Sequence, residues 1–260
     1  MTSYKIDAGT GQHIGDRSEQ QDRIALLAAP RAPGYMMAVL ADGMGGASGG
    51  VMAAEQAIKT ARQAFDHFSP VTDDVEQMLH AIASEIHTLI KLSTLTSEMR
   101  PQCTLVMLVL TPEQTAIWGH AGDSRLYRFA GPNLADRTVD HTQAAAATAA
   151  AQHGQPGVLL NALGQSGAEP VLSIGRCAGL KEGDAFLLCS DGMWQYASDA
   201  EFGAAIAMNA PRDAAQMLIK KARERAPAGE ADNCTLGIVK LVMPPKEVRS
   251  FEIGKMRRAV

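Results

Sequence analysis

Short apolar runs closed by Gly, Pro, Asp or Thr dominate this chain, and they constrain its fold more than any other feature. Residues 24–29, 35–41 and 103–111 are the clearest cases. They are too brief for core helices and are rich in β-branched and large apolar residues, so they read as buried strands. Further strands are expected at 114–120, 125–129, 185–190 and 234–242. A strand that is apolar along its whole length needs cover on both faces. Between the early strands the period changes to that of a helix. Ala54, Ile58, Ala61 and Phe65 form one stripe of a helix over 50–68; Val75, Met78, Leu79, Ile82, Ile86, Leu89 and Ile90 form another, with Thr72, Asp73 and Asp74 as its start signal. Two more helices, 200–208 and 212–223, precede the last strand. Two long helices in succession break βαβ alternation, so the expected class is α+β, with packed sheets covered by helices.

The 260 residues suit one large domain, and 46% hydrophobic against 20% charged residues is the balance of a chain with a sizeable core. With 24 Lys and Arg against 28 Asp and Glu, and no basic block in the body of the chain, nucleic acid is not an expected partner. Cys103, Cys177, Cys189 and Cys234 lie far apart with no paired spacing and read as small hydrophobes in a reducing compartment. No secretory leader is recognised, and no run approaches the roughly 20 apolar residues of a membrane helix, so a cytoplasmic protein is expected. A domain over 1–243 is expected to be followed by a basic, mobile tail, 244–260, which opens with two prolines. Residues 141–168 contain no Asp, Glu, Lys or Arg.

The acids carry the functional information. Asp42 closes one apolar run and opens Asp42-Gly43-Met44-Gly45-Gly46; Asp191 closes another and precedes Gly192. Asp123 follows the run ending at Gly122, Asp232 comes just before the strand at Cys234, and Asp22 just before the strand at Ile24. Singly, each reads as a turn residue, because Asp readily bonds its own backbone in tight turns. Together, five carboxylates at strand mouths must approach one another once the sheets form. Converging carboxylates repel unless cations neutralise them, and a set made only of oxygen donors suits hard divalent ions such as magnesium or manganese. Gly43 lets the backbone turn so that its carbonyl can face a metal, and Gly45 and Gly46 allow chain and substrate to approach closely. Other sites are excluded: His80 and His87 lack a second ligand at the close spacing zinc helices use, and neither a Walker-type loop nor an EF-hand ligand ladder is present.

In order, Gly15, Arg17, Gln21 and Asp22, then 42–46, 122–125, 140–142, 162–164, 190–192 and 232–235 resemble the motifs of the metal-dependent type 2C protein phosphatases, of the bacterial type. The resemblance runs from about residue 9 to residue 242. It implies a four-layer sandwich of two antiparallel sheets flanked by helices, and hydrolysis of phosphoserine and phosphothreonine in proteins by a metal-bridging water or hydroxide. It further implies that Asp42 bridges two Mn2+ or Mg2+ ions, that Gly43 offers its carbonyl to one, and that Asp191 and Asp232 complete the other. Gln21 and Asp22 would orient coordinated water, Arg17 would clamp phosphate, and Asp123 would help hold a third ion. Phosphorylated proteins, among them a serine/threonine kinase, are the implied partners of what is expected to be a monomer.

The chain departs from the family pattern at three positions. Gln21 stands where many relatives have Glu, Met44 where animal members have His, and Asn161 where many bacterial relatives have Arg. A catalytically silent phosphoprotein binder would normally lack metal aspartates, and Asp42, Asp123, Asp191 and Asp232 are all present. A hydrolase of small phosphate esters stays open as another reading, which only a comparison of substrates separates.

Overall fold

The apolar runs form strands buried on both faces. The structure, a computed structural model, describes residues 5–46, 48–95, 99–143, 158–167 and 169–243. In chain order these contain β1 (Lys5–His13), β2 (Arg23–Ala28), β3 (Met36–Ala41), β4 (Gly43–Met44), α1 (Gly49–His67), α2 (Val75–Ser93), β5 (Gln102–Cys103), β6 (Leu105–Leu110), β7 (Thr115–Ala121), β8 (Arg125–Ala130), β9 (Asn133–Arg137), β10 (Ser173–Ala178), β11 (Asp184–Cys189), α3 (Asp191–Trp194), α4 (Asp199–Met208), α5 (Pro211–Arg225) and β12 (Cys234–Val242). One five-stranded sheet has the order β1-β12-β11-β8-β9 and the other β10-β7-β6-β3-β2; β4 and β5 form a separate two-stranded ribbon. Every pairing is antiparallel.

The period of two along each strand divides its side chains between two cores. From β3, Met37, Val39 and Ala41 meet α1 and α2, with Phe65, Leu79, Ile82 and Ile86 opposite them. Ala38 and Leu40 face the other sheet, in a middle layer that Val106, Leu108 and Trp118 of their own sheet fill together with Phe186, Leu188 and Val239 of the opposite one. From β11, Ala185, Leu187 and Cys189 pack under α3 to α5 against Phe202, Ile206 and Leu218. The result is the four-layer sandwich of the α+β class, helices outside and two sheets inside. Asp74 caps α2 as its start signal predicts, its side chain accepting from the Gln77 amide at 2.9 Å.

The differences from the sequence reading have physical causes. The expected strand 103–111 is divided by Thr104 into β5 and β6, because Thr104 turns its polar groups to Asp42 rather than to the ladder. Strands β1 and β10 lie at sheet edges with half-exposed, Gly-containing sequences, so they lack the apolar signature. The exposed strand β9 lacks it too. Cys103, Cys189 and Cys234 are buried as expected, whereas Cys177 on β10 is half-buried. The tail 244–260, and residues 144–157 and 168 of the uncharged segment, lie outside the described residues.

Phe186 is fully buried between the sheets, while Val71 is 91% exposed in a loop. Phe186→Ala should therefore cost about 3–5 kcal/mol and Val71→Ala less than about 0.5 kcal/mol, measured as the shift in urea unfolding midpoint.

Candidate active site

The ends of β3, β7 and β11 and the start of β12 open onto one cleft of about 530 Å³, lined by Arg17, Glu19, Gln21, Asp42, Gly43, Asp123, Asp191, Asp232 and Asn233, among others. Adjacent strands run in opposite directions, so the last residue of β11 lies beside the first residues of β12: Cys189 pairs with Leu236. Asp191 and Asp232 follow from that register. Each of Asp42, Asp123, Asp191 and Asp232 keeps part of its surface open.

Hydroxyl and amide groups fix this framework from behind. The Asp42 amide donates to Thr104 Oγ1 at 3.1 Å, the Thr104 amide returns a bond to the Asp42 carbonyl at 2.9 Å, and the Thr104 and Ser124 hydroxyls lie 2.7 Å apart. Ser190 Oγ donates to Asp22 Oδ2 at 2.7 Å and accepts from the Thr235 amide at 3.2 Å. Loop 14–21 is fastened by Asn233, whose Nδ2 donates to the Ile14 and Glu19 carbonyls at 2.8 and 3.0 Å and whose Oδ1 accepts from the Gln21 amide at 2.7 Å. That loop carries Arg17, whose guanidinium donates to Asp232 Oδ2 at 2.7 Å from a largely exposed position. Gly43 is required by packing: a Cβ there would strike the carbonyl of Gly50 in the first turn of α1. At Gly192 a Cβ would strike the Asn233 carbonyl, so only glycine lets α3 and the 231–233 loop close on each other.

Negative charge dominates the cleft. Burial, and then repulsion from Asp22, Asp191, Asp123 and Asp232, holds Asp42 well above the usual carboxylate range. Burial and the neighbouring Asp232, Asp123 and Asp22 push Asp191 up to about 8. Burial and Asp140 push Asp123 up to about 6. Burial raises Asp22 to about 7 in spite of its bonds from Ser190 and Thr235. Carboxylates shifted by one another bind cations, because a cation removes the repulsion. The donors here are oxygens alone. Among the described residues no three His, Cys, Asp or Glu side chains gather closely enough to enclose an ion by themselves. An all-oxygen donor set suits magnesium or manganese, which take one or two carboxylates and complete their shell with waters and other oxygens, better than zinc, which favours nitrogen and sulfur.

Of the residues singled out in the sequence, Arg17, Gln21, Asp42, Gly43, Asp123, Asp191 and Asp232 share the cleft. Asp22 does not line it: it is 1% exposed and lies behind, bonded to Ser190. Gln21 lies at the rim, its Nε2 near Gly46 O and Glu19 Oε2 at 3.4 and 3.5 Å. Ser190 enters the sequence reading only as part of the 190–192 motif, and Thr104 and Glu19 are additional residues that the structure brings to the site. Thr104 left a trace, as the one hydroxyl within an otherwise apolar 103–110 run; Glu19, in a polar loop, left none.

The model of the family described as protein phosphatase 2C matches residues 9–226. Protein phosphatase PhpP of Streptococcus pneumoniae is 28% identical over 219 residues, which cover 80% of this chain and 87% of that protein. The structure of PppA, a regulatory component of the type VI secretion system in Pseudomonas aeruginosa, superposes with a TM-score of 0.74 at 27% identity, covering 91% of this chain and 97% of that one. The catalytic domain of the serine/threonine phosphatase PstP, solved with 2 manganese ions, has the same fold, with a TM-score of 0.74 at 24% identity and coverage of 91% and 98%. With the fold, the carboxylate cleft and a family match over most of its length, the chain belongs to the protein phosphatase 2C family of metal-dependent serine/threonine protein phosphatases.

Proposed function

We propose that the domain over 1–243 holds two Mn2+ or Mg2+ ions on Asp42, Gly43, Asp191 and Asp232, with a third, weaker ion at Asp123, and that a partner serine/threonine kinase is among its substrates. The observation that carries this reading is the gathering of mutually repelling carboxylates in one cleft with an arginine at its rim. When bound, such ions supply an acidified water and neutralise charge on the phosphoryl group.

The protein's own groups would do the rest. Arg17 would bind the incoming phosphate, since a planar guanidinium can grip two oxygens at once and is charged at every working pH. Its present partner, Asp232, forms an exposed pair with it, and such pairs are worth about 0–1 kcal/mol, so a phosphate can displace it at little cost. Gln21 and Asp22 would orient coordinated water, Gln21 by its amide at the rim and Asp22 from behind Asp42, held there by the Ser190 hydroxyl. Met44, at the rim, offers no proton to the leaving group. Free thiols at all four cysteines suit a reducing cytoplasm, and among the described residues no helix is long and apolar enough to cross a membrane. A monomer acting on the phosphorylated loop of a separate kinase is the simplest arrangement.

Phosphate release from the autophosphorylated kinase of the same source tests this. It should stop in chelator, return with manganese more than with magnesium and not with calcium, and strip serine and threonine while sparing tyrosine. Activity retained in chelator would contradict the metal reading; preferential loss of phosphotyrosine would contradict the substrate reading.

The individual roles are tested by variants. Arg17→Ala removes a charged hydrogen bond and should raise KM for a phosphothreonine peptide roughly ten- to a hundredfold with a smaller change in kcat. Asp42→Asn and Asp191→Asn should each abolish turnover and leave the unfolding transition cooperative. Near wild-type turnover from either aspartate variant would remove it from the metal set.

A further inference from the structure

Trp194 ends the short helix α3 that Asp191 opens. Its indole Nε1 donates to the main-chain oxygen of Asp123 at 2.9 Å. One face of the ring lies against Arg125, whose Cζ is 3.7 Å from the ring centroid. Arg125 is itself immobilised. Its Nε and Nη2 donate to the two carboxylate oxygens of Asp140 at 2.8 and 2.7 Å, and its Nη1 to Tyr127 Oη at 3.3 Å. Both partners of the ion pair are largely buried, with side chains 9% and 15% exposed. A guanidinium gripped at two points has a fixed plane. A ring stacked on that plane has few orientations left, and its N–H is therefore aimed.

The turn that receives this bond is otherwise held on either side of Asp123. The Gly122 amide donates to His141 Nδ1 at 3.2 Å, the His141 amide to the Gly122 carbonyl at 2.9 Å, and Ser124 meets Thr104. Gly122 has φ of 110°, a conformation in which a side chain is strained. The bond from Trp194 thus adds a direct tie between this turn, which joins β7 of one sheet to β8 of the other, and the helix that follows β11, beside the β8–β11 register that pairs Arg125 with Cys189. It joins the peptide of Asp123 to the four-residue helix that carries Asp191.

We propose that Trp194 is a positioning residue: through its indole N–H, held in aim by the Arg125–Asp140 pair, it sets the Asp123 turn against Asp191 and so preserves the weaker cation site. This rests on the reading that Asp123 helps hold a third ion. Outer residues that orient metal-binding groups typically change metal affinity when replaced, and an aromatic ring without an N–H separates this role from packing.

The test is calorimetric titration of manganese into the wild-type protein and into Trp194→Phe, Arg125→Lys and Asp123→Asn. Thermal melting and turnover of a phosphothreonine peptide and an aryl phosphate are measured alongside. Trp194→Phe keeps the ring over Arg125 and removes the donor. It should melt cooperatively, keep the two tighter sites, and weaken the weakest by about tenfold or more. KM should hold while kcat falls further on the peptide than on the aryl phosphate. Arg125→Lys keeps the charge without the two-point grip and should weaken the same site. Wild-type affinity at every site in folded Trp194→Phe or Arg125→Lys would overturn the proposal, as would equal weakening of all sites. If Asp123→Asn loses the weakest site while Trp194→Phe retains it, the positioning role alone fails. If Asp123→Asn keeps all three sites, the third-ion reading fails and the proposal with it.

Discussion

Repulsion among carboxylates at the mouths of the strands is the constraint on which the rest of the structure depends. Asp42, Asp123 and Asp191 are all pushed above the ordinary carboxylate range by burial first, and next by a neighbouring carboxylate: Asp22 for Asp42, Asp140 for Asp123 and Asp232 for Asp191. Groups in that state oppose folding unless something repays them. The three apolar layers supply the cohesion: a middle layer between the sheets and an outer layer under each pair of helix and sheet faces. Cations in the cleft would remove the repulsion itself. Function and stability therefore meet at the same atoms, and the chain itself compensates in part, through Arg17 on Asp232 and through the Arg125 charge near Asp123.

Much of this was legible in the sequence, for reasons that can be named. Strands such as β3, β6 and β11 are buried on both faces, so their continuous apolar runs are unambiguous, and β12 begins and ends where its run does. The acids that close those runs had to share an edge once the strands paired. What escaped was whatever lacks a burial signature. Edge strands β1 and β10 are half-exposed, β4 and β5 have two residues each, and α3 is a single turn. The depth of Asp22 was not legible either, because a carboxylate before a strand looks the same whether it faces the cleft or Ser190. Nor does a string of residues reveal that Trp194 reaches across to Asp123.

The departures from the family pattern acquire a location. Gln21 sits at the rim against Glu19 and Gly46, so the charge missing at position 21 has a neighbouring carboxylate, Glu19, in the same cleft. Met44 belongs to the β4–β5 ribbon opposite Gln102 and lines the cleft without a titratable group. Asn161, in place of a longer cation, bonds His141 Nδ1 at 2.6 Å and the Val171 carbonyl at 2.7 Å, well tied into the wall behind the Gly122 turn. Each position has been absorbed into local hydrogen bonding or packing, with the four cleft aspartates kept.

The most direct measurement is an anomalous difference map at the manganese edge from crystals grown with Mn2+. The account predicts two strong peaks on either side of the Asp42 carboxylate, one of them contacted by Asp191 and Asp232, with a weaker third peak beside Asp123. Peaks confined to other surfaces, or none within the cleft, would contradict it.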